Sequence, residues 1–180
     1  CGTLFPYTTL FRSAVTDAAM NTYPDEEARA GILENALDAL HLLGFARPKV
    51  AVVSAVEKPS EPVISSMEGR RIAERFAERD DLVIEAPLSV DIALSAAAAR
   101  EKKWGGRIRG DADLLLVPDI DAGNAVYKSF TVISGATLGG AIIGGDVPLI
   151  LTSRGDSSRT KLASVALACL MIRRRKGAEQ

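Results

Sequence analysis

The chain has 180 residues, 47% of them hydrophobic, with 22 Lys+Arg against 23 Asp+Glu and a net charge of −1. That is a globular composition, long enough for one good-sized domain or two small lobes. The charge balance sets up no strong field toward nucleic acid or an anionic membrane, and 5% aromatic residues make a poor base-stacking platform.

Residues 1–13, CGTLFPYTTLFRS, have no basic–apolar–small signal-peptide layout and share no pattern with the rest of the chain. They read as a non-native leader, or alternatively as a disordered native arm. Residues 14–180 form the folded part. Ala14 to Ala18 predicts a strand ending at Asp17. Thr22 to Glu27 predicts a helix start, with Pro24 in the first helical position and acids in the first turn. Ile32, Leu33, Ala36, Leu37, Leu40 and Leu43 then recur at helical spacing until Gly44. His41 on this helix is a packing or surface residue, and a single histidine argues against a histidine-based metal site or a Ser-His-Asp triad.

Val50 to Val53 predicts a buried strand, followed by the Pro-rich loop Glu57–Pro62. A helix with Ile64, Met67, Ile72 and Phe76 inward runs to about Arg79. Leu82 to Ile84 is the next strand, ended by Glu85-Ala86-Pro87, and Asp91 to Lys103 reads as one Ala-rich helix before a Gly-rich loop. The element order β-α-β-α-β-α-β-α-β-β-α predicts an α/β fold, a mostly parallel sheet with helices on both faces. Cys1 and Cys169 offer neither a disulfide framework nor metal-ligand spacing, and Cys169 reads as a small core residue of the last helix. The closing Arg173–Lys176 run complements that helix's dipole. No apolar run approaches the roughly 20 residues that span a bilayer, so the chain reads as cytoplasmic.

Two strand–turn–helix stretches hold the candidate chemistry. In the first, the apolar run Leu114–Val117 is stopped by Pro118 and Asp119, and Asp121-Ala122-Gly123-Asn124 leads into a helix carrying Tyr127 and Lys128. A helix start there is either an anion site or an ordinary capped turn, with Asp119 and Asp121 as caps. In the second, Leu149–Leu151 delivers Thr152-Ser153-Arg154-Gly155-Asp156-Ser157-Ser158 to a sheet edge. Arg154 suits phosphate through its planar fork. Gly155 permits a tight turn or a close ligand approach, and Asp156 or Ser157 is equally a plain helix cap. No GxGxxG turn and no carboxylate cluster for a metal appears.

PDIDAGNAVYK followed by LILTSRGDSS resembles the phosphate acetyl/butyryltransferase family. AVTDAAMNTYPDEEARAGILENALDAL, PKVAVVSAVEKP and EAPLSVDIALS resemble it too, in the same order, so that the likeness covers Ala14 to about Arg173. TSRGDS and TDAAMN are closer to the butyryltransferase-like branch. The resemblance implies a three-layer αβα architecture of the isocitrate/isopropylmalate dehydrogenase type. It implies an acyltransferase that exchanges an acyl group between coenzyme A and inorganic phosphate, with no permanent cofactor, no metal and a homodimeric assembly. Ser153 and Arg154 match the family's Ser-Arg pair, Ser153 for the thiol or oxyanion and Arg154 for phosphate. Asn124 with Gly123 matches the Gly-Asn pair, expected to offer an amide and backbone N–H groups, and Lys128 is either a phosphate contact or a solvated lysine. Gly155 completes the substrate-binding set.

The chain departs from the resemblance in two places. The acidic residue proposed as base in the acetyltransferase branch falls on Thr160, leaving Asp156 as the substitute. The family's N-terminal lobe is also missing, so the chain is expected to be truncated there, inactive alone and apolar where that lobe would pack. The alternative is a non-catalytic, acyl-coenzyme-A-sensing regulatory domain of the kind fused to malic enzymes.

Overall fold

The computed structural model describes residues 13–178, so the reading of residues 1–13 as a leader lies, except for Ser13, outside the described residues. Four short strands form one parallel sheet in the order β1-β4-β2-β3, with β1 at Ala14–Thr16, β2 at Lys49–Val53, β3 at Val83–Leu88 and β4 at Leu114–Leu116. In register, Ala14, Val15 and Thr16 face Leu114, Leu115 and Leu116, and the same three leucines face Val50, Ala51 and Val52 on the other side. The strands are apolar at consecutive positions because both faces of the sheet are covered. Val50, Val52, Leu114 and Leu116 pack on α1 (Glu26–Leu42) and α2 (Ile64–Arg75). Ala51, Val53, Leu115 and Val117 pack with Ile92, Ala93 and Ala99, from α3 (Val90–Leu94) and α4 (Ala96–Glu101), and with Ala122 and Val126 from α5 (Ile120–Lys128). This is the expected three-layer α/β arrangement.

Several local expectations are corrected. Helix α1 starts after Asp25, whose carboxylate accepts the Ala28 N–H at 2.8 Å, so Pro24 precedes the cap instead of opening the helix. Ile64 is 69% exposed, and α2 buries Ser66, Gly69 and Ile72, with Phe76 just beyond its end. Strand β3 continues through Pro87 to Leu88, paired with Val53. An edge strand tolerates the missing donor because its outer side lacks a ladder. The Ala-rich stretch is two helices, since Ser95 ends α3 and its hydroxyl caps α4 at Ala98 N, 3.2 Å away. Gly110, at φ +85°, lies so close to the backbone of Ser95 and Ala96 that a side chain there would collide with it.

The largest correction concerns Leu149–Thr152, which forms no strand of the sheet. Its ladder consists of one antiparallel bridge between Ile142 and Leu149, and Leu149, Ile150 and Leu151 are 60%, 45% and 54% exposed. An apolar run becomes a strand only where neighbouring strands take up its N–H and C=O groups, and none does so here. The final helix α6 (Ser158–Ala178) packs Leu167 and Met171 on Ala39 of α1, while Leu162, Val165 and Leu170 face outward. Cys169 is exposed, against the expectation of a core residue, because the buried stripe of α6 runs through Leu167, Ala168 and Met171. The basic end of α6 reaches across to other carbonyls: Arg174 donates to Leu42 O at 3.0 Å, at the end of α1, and Arg175 to Asp146 O at 2.7 Å. Among the described residues no helix is long and apolar enough to cross a membrane, and no cluster of His, Cys, Asp or Glu suits a metal ion.

Candidate active site

The cavity that gathers the predicted chemistry lies beyond the C-terminal ends of β1 and β4, where open parallel sheets place ligands. It measures about 440 Å³ and has three walls: Ala18 and Ala19 after β1; Asn124, Tyr127 and Lys128 on α5; and Leu151–Arg154 with Asp156, Thr160 and Ser164. Asn124 and Ser153, 29 positions apart in sequence, therefore face one space. A larger hollow of about 600 Å³ between α1, the 143–148 loop and α6 gathers none of the predicted site residues.

The first wall is built by Asp17, which the sequence offers only as a strand end. Its carboxylate accepts the N–H groups of Ala19, Met20 and Asn21 at 2.9, 3.1 and 3.0 Å and the Asn21 side-chain amide at 2.6 Å. Burial pushes the Asp17 carboxyl up, but these donors, led by the Ala19 N–H and the Asn21 amide, outweigh it and hold it below the usual carboxylate range. The detectable signal is a local one: Asp followed four residues later by Asn, a pair that satisfies its own turn.

The second wall is α5. Asp119 is its N-cap, accepting Ala122 N at 2.8 Å, and Asp121 accepts the Tyr23 hydroxyl at 2.7 Å. Because the helix opens at Ile120, Gly123 and Asn124 lie inside it and not in the turn before it. The Gly123 N–H is spent on Asp119 O at 3.0 Å, so no N–H of Gly123 is offered to a ligand. Gly123 instead lets α5 approach the first wall: a Cβ there would come within 2.7 Å of Asp17 O and 2.8 Å of Ala18 Cα. Asn124 remains as an exposed side-chain amide at the cavity, one helical turn from Lys128. The Lys128 ammonium stands 5.4 Å from the Tyr127 ring centroid, a cation–π distance.

The third wall is the Ser153–Asp156 turn, closed by the Asp156 N–H on Ser153 O at 3.1 Å. Arg154 is exposed and makes no ion pair among the described residues, leaving its guanidinium available. Gly155 is open on all sides and outside the left-handed region, so neither a tight turn nor a close approach requires glycine there. Ser157 is the cap of α6, accepting Thr160 N at 3.1 Å. Thr160 is 6% exposed, with its hydroxyl 3.2 Å from that of Ser157, and Ser164 bridges the Thr160 carbonyl to the Gly140 N–H, each at 2.9 Å. Asp156 carries the one carboxylate lining the cavity among the described residues, and both its oxygens are engaged: Oδ1 by the Tyr127 hydroxyl at 2.7 Å, Oδ2 by the Ser153 N–H at 2.6 Å. From sequence Tyr127 reads only as a helix residue; nothing in the local pattern links it to a turn 29 residues away.

The arrangement offers a free guanidinium, an ammonium, an amide and a hydroxyl to one ligand space, a donor set suited to an anionic group with a carbonyl beside it. The family described as phosphate acetyl/butaryl transferase matches residues 9–169. A phosphate acetyltransferase from Rhizobium meliloti is 41% identical over 92% of this chain and 53% of its own length. A phosphate butyryltransferase from Clostridium acetobutylicum is 38% identical over 87% of this chain and 53% of its own. The solved structure of a branched-chain phosphotransacylase from Enterococcus faecalis V583 superposes with a TM-score of 0.90 at 36% identity, over 95% of this chain and 62% of that one. The chain thus spans about half the length of the curated relatives it matches. With its family-ordered motifs folded around one cavity, it belongs to the phosphate acetyl/butyryl transferase family.

Proposed function

We propose that this chain is part of a phosphate acyltransferase of the butyryl or acetyl type, exchanging an acyl group between acyl-coenzyme A and inorganic phosphate. A phosphate oxygen attacks the thioester carbonyl, the C–S bond breaks with its electron pair going to sulfur, and the thiolate takes up a proton. The products are acyl phosphate and free coenzyme A. Arg154 holds the phosphate through its fork, Lys128 adds a second positive charge, and the Asn124 amide donates to the acyl phosphate. Ser153 hydrogen-bonds the thiol or the oxyanion that develops on the carbonyl. No bound cofactor enters this scheme; coenzyme A is a substrate. The observation that carries the reading is the convergence of Asn124, Ser153 and Arg154 on one cavity from elements far apart in sequence. The TSRGDS run supports the butyryl-like branch.

The exposed strip Leu149–Leu151, with Leu162 and Val165, is on this reading the seat of the remaining length of the family's fold. A cytoplasmic homodimer that includes that length is the assembly proposed, and this chain alone is expected to be inactive. The test is phosphate-dependent release of free thiol from butyryl- and acetyl-coenzyme A by the full-length gene product. Ser153→Ala is expected to lower kcat by about 10²-fold, the usual loss on removing one oxyanion donor. A full-length protein that releases no thiol from either substrate sinks the proposal.

One observation favours a second reading. Thr160, at the position where the acetyltransferase branch has an acid, is buried, and its hydroxyl accepts that of Ser157, the cap of α6. A non-catalytic domain that senses acyl-coenzyme A would bind the thioester without turnover, and the same assay combined with calorimetric binding separates the two.

A further inference from the structure

Asp156 is the carboxylate closest in sequence to Ser153, which makes it the first candidate for the thiol base. Its surroundings assign it other work. Oδ2 accepts the Ser153 N–H at 2.6 Å while the Asp156 N–H donates to Ser153 O at 3.1 Å, so the two residues close the turn reciprocally. Oδ1 accepts the Tyr127 hydroxyl at 2.7 Å. Among the described residues this is the one side-chain hydrogen bond that joins α5 to the Ser153–Asp156 turn. No sheet ladder performs that task, because Leu149–Thr152 pairs only through Leu149. Arg154 and Gly155 are exposed, and a Cβ at Gly155 would meet no atom within 4 Å.

We infer that Asp156 is a positioning residue: with Tyr127 it clamps the Ser153–Asp156 turn to α5, and so fixes Ser153 and Arg154 toward Asn124. The clamp itself stands on geometry alone; what it positions rests on the acyl-exchange reading. Each oxygen of Asp156 already accepts from a protein donor, one from the Tyr127 hydroxyl and one from the Ser153 N–H, and these two bonds fix the carboxylate between α5 and the turn. Burial, together with the Asp156 carboxylate, pushes the Tyr127 phenol well above the ordinary tyrosine value, so that it stays protonated and donating throughout the working pH range. The bond is charge-assisted and part-buried, which makes it stronger than a neutral surface hydrogen bond.

Tyrosine Cζ NMR on the purified chain tests the clamp without any need for turnover, with Tyr127→Phe assigning the resonance. The expected result is a Tyr127 signal that stays flat through the range near pH 10 where an unconstrained tyrosine titrates. In Asp156→Asn the midpoint should move down toward that value. Inorganic phosphate is then titrated against the Arg154 amide signal. Tyr127→Phe and Asp156→Asn should each weaken binding by about tenfold, and the double variant should be no weaker than Asp156→Asn alone, because both remove one device. Asp156→Glu, which keeps a carboxylate in reach of the phenol, should restore part of the loss. Tyr127 titrating alike with and without Asp156, or two losses that simply add, would overturn the clamp. Should phosphate bind none of the forms while the Tyr127 midpoint still moves, the clamp stands and the phosphate-site reading falls.

Discussion

Replacing Gly123 by Ala sets two known effects against each other. In a helix interior Ala is better than Gly by about 1 kcal/mol, because glycine loses more backbone entropy on folding. At Gly123 the new Cβ would stand 2.7 Å from Asp17 O, 2.8 Å from Ala18 Cα and 3.0 Å from Val117 Cγ2. Two of those atoms are backbone, held by the four hydrogen bonds to the Asp17 carboxylate, so neither can rotate aside. Overpacking of this kind costs about 1–3 kcal/mol, and an immovable neighbour puts the cost at the upper end. The net expectation is a loss of about 2 kcal/mol, or a Tm lower by roughly 4–8 °C for a chain of this size. Gly31, exposed on α1 with no atom within 4 Å of its Cβ position, is the internal control. Gly31→Ala should gain up to about 1 kcal/mol. Urea unfolding followed by circular dichroism measures both, with an unchanged m-value as the check that only stability moved. Two substitutions shifting in the same direction by the same amount would refute the close approach between α5 and the Asp17 loop.

The same geometry sets further outcomes. Asp17 has a folded pKa below its unfolded value, so the stability it contributes is present above the unfolded value, near 4, and is lost as pH falls through the lower folded one. Unfolding free energies of the native chain should therefore drop on acidification below about pH 4, and those of Asp17→Asn should drop less while lying about 1–3 kcal/mol lower at neutral pH. Leu115→Ala, at a fully buried position between two strands, should cost about 2–5 kcal/mol, whereas Leu151→Ala should stay within about 0.5 kcal/mol by the same denaturant assay. Replacing Leu149, Ile150 and Leu151 together by Ser should suppress self-association in light scattering and binding of a hydrophobic dye without lowering the unfolding free energy. In the full-length protein Arg154→Ala should raise KM for phosphate far more than KM for the thioester, and equal changes in both would place the guanidinium elsewhere.

Local signals carried the layered fold. Leu114–Leu116 and Val50–Val53 are short runs without polar interruption, which only a strand covered on both faces accommodates, and they occupy the centre of the sheet. Ile32, Leu33, Ala36, Leu37 and Leu40 declare one face of α1 through their spacing, and that face is buried. Asp119 as a cap and Gly44 as a stop were also legible, since each acts on backbone groups within a few residues. The resemblance of the two turn motifs singled out Asn124, Ser153 and Arg154, and the fold brings them to one cavity.

What tertiary structure decided was every feature whose partner lies far along the chain. Leu149–Leu151 has the composition of a strand, yet a strand exists only where a neighbour supplies the ladder, and composition cannot state whether one does. Pro87 ends a strand in isolation but not on a sheet edge, and that edge position is a property of strand order. Gly123 reads from its turn motif as a ligand-facing glycine, whereas the atoms that a Cβ there would meet belong to Asp17, Ala18 and Val117. Asp156 is the nearest carboxylate to Ser153 in sequence, and its bond to Tyr127 sits across 29 residues of chain that no local pattern spans. Periodicity and capping are set within a turn or two of backbone and are written in the order of residues; pairing, approach and hydrogen-bond partnership depend on which surfaces meet, and are settled only when the chain has folded.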